Sequence, residues 1–146
     1  MGMLLRPLLL GACAATALLP VAAPAGAQTT AADFEDARVE VFPGCAGMVR
    51  TVVSVSPLPT GIPGVRVVVL FKADRQDPAC AVTTTVNWRN IDSGTSGSAD
   101  LIVSSLPAPG GFFNPDHGYG RTLADTGPGT VVITVSTNPG EVSIIV

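Results

Sequence analysis

Side chains that carry chemistry are scarce in this chain. It has one histidine (His117), one lysine (Lys72), three cysteines and a single tryptophan, and only 5% of its residues are aromatic. With one imidazole, a histidine-built metal site is excluded, and any serine hydrolase would depend on His117 alone. No CxxC, GxSxG or DxDxDG motif occurs. Charged residues make up 13% of the chain, and the bases stand singly along it. That spacing argues against nucleic acid as a partner, because binding it needs clustered positive charge. No apolar run reaches the roughly 20 residues that cross a bilayer, so no transmembrane span is expected.

The apolar residues near the start instead have the pattern of an export leader, residues 1–27. Arg6 supplies the positive end, an apolar run follows from Leu8 to Leu19, Pro20 interrupts it, and Ala25 and Ala27 present small residues to a signal peptidase. The expected mature chain starts at Gln28, acts outside the cytoplasm, and has lost Arg6, which moves the formal net charge from −3 to −4. The segment "LLGAC" has the outline of a lipoprotein box at Cys13. Arg6 lies too close upstream and the apolar run continues too far past it for that reading, so Cys13 counts as part of the leader. Arginine outnumbers lysine throughout, which with the Ala-rich leader points to a high-GC bacterial genome.

Losing the leader leaves Cys45 and Cys80, and an even pair in an exported chain implies one disulfide. A bridge closing so long a loop contributes roughly 3.8 kcal/mol in the chain-entropy picture.

The rest of the chain alternates with period two and is rich in Val, Ile and Thr, the signature of strands. Strands are expected over 37–42, 47–56, 65–73, 80–90, 100–106, 130–136 and 141–146. Residues 28–36 read as a tail, 57–64, 74–78 and 92–98 as connections, 107–129 as a long irregular segment, and "TNPG" (137–140) as a turn. Val49, Thr51, Val53 and Val55 share a face, as do Val65, Val67, Val69 and Phe71. Cys80, Val82, Thr84, Val86 and Trp88 form the expected core face of the fourth strand. About seven strands with turn signals about every ten residues predict an all-β fold, an antiparallel β-sandwich over 37–146. Its architecture is immunoglobulin-like, although Trp88 follows both cysteines instead of lying between them. At the end of the chain, Val142, Ile144 and Val146 are expected to face inward and Ile145 outward. That strand either pairs internally or offers an edge for self-association.

One stretch stands apart. "FFNPDHGYGR" (112–121) joins Phe112, Phe113 and Tyr119 to the only histidine. It reads as an ordered surface loop anchored by the two phenylalanines, with Gly110, Gly111, Gly118 and Gly120 supplying bends. Asp116, His117, Tyr119 and Arg121 are its candidate contacts for a protein or envelope component, suited to a negative or aromatic group. Asp74, Asp77, Asp92 and Asp100 read as turn aspartates and not as calcium ligands. No cofactor or metal is expected. The resulting expectation is a non-catalytic exported binding module. The alternatives are a small hydrolase using His117 with Asp116, and a carrier of an apolar ligand.

Overall fold

Long β-branched runs give long strands here, and the computed structural model, which describes residues 29–107 and 116–146, contains nine of them and no helix. They are β1 (Ala31–Asp33), β2 (Ala37–Phe42), β3 (Cys45–Pro57), β4 (Pro63–Ala73), β5 (Ala81–Asn90), β6 (Ser96–Ser104), β7 (Gly118–Ala124), β8 (Thr130–Val135) and β9 (Asn138–Ile145). All their pairings are antiparallel. One sheet has the order β1-β3-β4-β7, with β2 also paired to β3, and the other has the order β6-β5-β8-β9. The two pack face to face as a β-sandwich. The expected leader with Cys13, and Gly110, Gly111, Phe112 and Phe113, lie outside the described residues.

The alternation does what the sequence pattern requires. Val49, Val53, Val65, Val67, Val69 and Phe71 of the first sheet meet Val82, Val86, Val103, Val131, Ile133 and Ile144 of the second in one buried cluster. Trp88 is partly buried at its margin, and Ile145 faces outward. Cys45 opens β3, Cys80 directly precedes β5, and a disulfide joins them with a Cα–Cα separation of 5.3 Å. Both cysteines are buried, so the bridge ties one sheet to the other from inside the core.

Four features differ from the sequence reading. β1 lies in the segment read as a tail, and β9 begins inside the "TNPG" turn. β6 starts at Ser96, within the segment read as a loop, because Gly97 leaves room for Trp88: a Cβ there would sit 2.5 Å from the indole Cζ2. The largest difference is β7, which runs through the segment read as irregular and pairs residue by residue with β4. Its inward positions are Gly118, Gly120, Thr122 and Ala124, opposite Phe71, Val69, Val67 and Val65. These small residues give no hydrophobic alternation. They are small because β6 of the other sheet approaches closely: a Cβ on Gly120 would meet Val103 Cγ2 at 2.7 Å.

A buried polar network links the sheets at the start of β9. Asn138 donates from Nδ2 to the carbonyls of Glu35 (2.9 Å) and Val49 (3.0 Å), and its Oδ1 accepts from Thr51 Oγ1 (2.8 Å) and Thr137 Oγ1 (3.0 Å). Replacing it with alanine takes this partner from the buried Thr51 hydroxyl and Val49 carbonyl, each at about 1 kcal/mol or more, while Thr137 keeps its bond to Thr84 and Glu35 is exposed. Asn138→Ala is therefore expected to lose about 2–3 kcal/mol in denaturant unfolding. A loss under about 0.5 kcal/mol would mean that water replaces the amide.

Candidate functional site

The strands β3, β4 and β7 contain no Asp or Glu, yet they carry Arg50, Arg66, Lys72 and Arg121. Register puts all four on one surface. Arg50 stands opposite Leu70, Met48 opposite Lys72, and Ser54 opposite Arg66. Across the next interface Leu70 faces Tyr119 and Val68 faces Arg121. The core-facing set is the other parity, so these side chains lie together on the outer face of the first sheet. Bases that stand singly in the sequence are thus gathered into one patch on a net negative protein. The signal was present as parity: 50, 66 and 72 are even positions in strands whose odd positions are the core.

The patch has a hollow. Met48 and Leu70 form its apolar lining, with Arg50, Lys72, His117 and Asp36 around them, and it encloses about 200 Å³. His117 reaches it because Gly118 pairs with Phe71, which sets the preceding residue beside Lys72. Acids stand at the rim. Asp33 Oδ2 is 3.4 Å from Arg50 Nη2, and Asp116 Oδ2 is 3.8 Å from Lys72 Nζ. These are exposed pairs of the kind that contribute little to stability. Among the described residues, neither His117 nor Arg121 makes a side-chain hydrogen bond or ion pair.

Of the four candidate residues of the 112–121 stretch, the structure places Tyr119 and Arg121 on strand β7 rather than on a loop, and His117 at its threshold. The Asp116 carboxylate stands 3.8 Å from Lys72 Nζ. Sequence reasoning found His117, Tyr119 and Arg121, and missed Met48, Arg50, Leu70 and Lys72, which come from two other strands.

The four aspartates read as turn residues have structural partners, and one of them, Asp100, lies in β6 opposite Thr85 and not in a turn. Arg38 donates to both carboxylate oxygens of Asp74, at 3.2 and 2.6 Å. That hydrogen bond holds the Asp74 carboxyl below its ordinary pKa. The stabilisation is present above the ordinary carboxylate pKa and fades as pH falls through the lowered value. Asp77 Oδ1 accepts from the Ala79 amide, Asp92 Oδ2 from the Thr130 amide, and Asp100 Oδ1 from Thr85 Oγ1.

The outer face of the second sheet is chemically different. It presents Thr83, Thr85, Asn87, Ser96, Ser98, Thr134 and Ser143, with scattered charges and an exposed Ile102. A second, apolar hollow of about 280 Å³, lined by Ile62, Pro63, Pro128 and Val146, opens at the end of the sandwich away from the disulfide. No helix in the described residues is long and apolar enough to cross a membrane. Comparison with protein-family models, with curated proteins and with solved structures finds no match to this chain.

Proposed function

We propose that this protein is an exported binding module that works outside the cell or at its envelope and holds another protein or an envelope component on the outer face of β3, β4 and β7. One observation carries the reading: three strands free of acids turn four cations and a tyrosine outward, and two of the cations, Arg50 and Lys72, line a hollow with Met48, Leu70, His117 and Asp36. Arginine, tyrosine and methionine are the residue types enriched where proteins bind partners. Among the described residues His117 and Arg121 make no side-chain hydrogen bond or ion pair. The buried disulfide and the export leader fit an oxidising location. The ligand that suits this surface has an anionic group for Arg50, Lys72 and Arg121 and an apolar or aromatic body for Met48, Leu70 and Tyr119.

The test is amide-resolved NMR of the mature protein, titrated with soluble peptidoglycan fragments, anionic envelope glycans and carboxylate-bearing peptides. Saturable shifts confined to residues 48–50, 70–72 and 117–121 are the expected result. Shifts confined to the Thr-rich face, or turnover of any of these compounds, would overturn the reading.

A further inference from the structure

A sandwich has four sheet edges, and this one closes most of them itself. The β9 edge, a candidate for self-association in the sequence, is crossed at both ends by the segment before β2: the Ile145 amide donates to the Thr29 carbonyl at 2.9 Å, and Asn138 Nδ2 donates to the Glu35 carbonyl. On the opposite side β7 and β6 lie against each other, with Gly118 set on the carbonyl of Ser104 and Gly120 on Val103. β2 is different. It pairs with β3 alone, and its far side has no strand partner among the described residues.

The backbone groups on that far side are identifiable. Thr51 accepts from Phe34 and Val55 donates to Thr30, so the odd residues of β3 point their amides and carbonyls toward the β1 and β2 side. Ala37 and Val39 stand opposite Val49 and Gly47. They therefore bond inward to β3, leaving the amides and carbonyls of Arg38 and Glu40 pointing away from the sheet.

Natural edges are guarded by charge, but here the two edge charges have opposite sign and sit two residues apart. Antiparallel pairing of β2 with a second β2 about a two-fold axis through Val39 puts Arg38 opposite Glu40, and Glu40 opposite Arg38, at both positions. Those are the two residues with outward backbone groups, so the same register forms about four backbone hydrogen bonds. Arg38 keeps its bond to Asp74 while doing so, since a guanidinium has five donors. Val41 and Phe42, 43% and 44% exposed, flank the joint. The other open stretch, Ser96–Gly97–Ser98 at the start of β6, offers no charge pair of this kind.

We infer that two copies of this protein associate edge to edge through β2, with Arg38 and Glu40 exchanged across the two-fold axis, joining two five-stranded sheets into one. The bulge between Glu40 and Phe42 ends the regular edge, so the joint is short and weak. A Kd on the order of 100 μM is expected.

Sedimentation equilibrium of the disulfide-intact mature protein tests this by charge exchange. Arg38→Glu and Glu40→Arg each weaken the dimer at least about tenfold, because like charges then face each other twice. The double exchange Arg38→Glu/Glu40→Arg restores it to within about threefold. Asp74→Asn, which removes only the intramolecular pair, leaves it intact. Independently, Val39→Cys crosslinks to itself on oxidation, since a non-hydrogen-bonded pair holds its Cα atoms about 4.5 Å apart, and Ile145→Cys does not. Wild type that stays monomeric to about 1 mM overturns the inference. So does a double exchange that fails to restore association, or crosslinking at Ile145 in place of Val39.

Discussion

Gly118→Ala is expected to cost more than about 4 kcal/mol, the range reached only when a substitution breaks something the fold is built on. A methyl group at this position overlaps the backbone carbonyl oxygen of Ser104, with the Leu106 carbonyl 3.4 Å away. The obstacle is backbone in a paired strand, not the end of a flexible side chain. Gly118 is held opposite Phe71 by β4, and Ser104 opposite Ala81 by β5. Both stand at the ends of their ladders, but Gly118 is buried and the Ser105 amide donates to the Cys80 carbonyl, which holds the Ser104 carbonyl in place. Chemical denaturation of the purified variant is the check. A cost under about 1 kcal/mol would mean that the two sheets do not approach here as described.

The second large effect belongs to the disulfide. Replacing Cys45 and Cys80 together with alanine is expected to remove roughly 3.8 kcal/mol, the loop-closure contribution of a bridge spanning 35 residues. A domain of this size is stable by only about 5–15 kcal/mol. The melting temperature therefore falls by on the order of 10–15 °C. The bridge joins the start of β3 in one sheet to the residue just before β5 in the other. A drop smaller than about 3 °C would show that core packing already fixes that end of the sandwich.

These three residues also mark what the sequence disclosed and what it withheld. Cys45 and Cys80 were readable because the leader-like start of the chain implies an oxidising setting for an even pair, and strand direction brings their positions together. The core was readable because valine and isoleucine alternate with period two through β3, β4 and β5. Gly118 was not. In β7 the inward positions hold glycine, threonine and alanine, so close approach of the two sheets replaces hydrophobic burial and the alternation disappears. β1 was hidden for a related reason: Ala31–Asp33 is three residues long and mostly exposed, and its strand character comes from pairing with Val52–Ser54. The buried asparagine at 138 looked like turn chemistry because asparagine before proline usually is.

The surface shows the same division. Tyr119, His117 and Arg121 could be named from one short stretch. Arg50, Lys72, Met48 and Leu70 join them only through the register of β3, β4 and β7, which no local pattern states. The protein so formed has two unlike faces, one cationic around an apolar hollow and one lined with hydroxyls. Both faces lie outside the buried core, where side chains are open to recognition.

The binding proposal requires the outward groups of β7 to serve recognition and not stability, and one comparison tests it. The variant His117→Ala/Tyr119→Thr/Arg121→Thr keeps strand-forming residues in β7 and removes the outward groups. Its melting temperature and its NMR titration with anionic envelope fragments are measured beside those of wild type. A melt within about 4 °C of wild type, with the ligand-induced shifts at residues 48–50 and 70–72 abolished, is the predicted result. A variant that melts far below wild type, or one that binds as wild type does, would contradict the account.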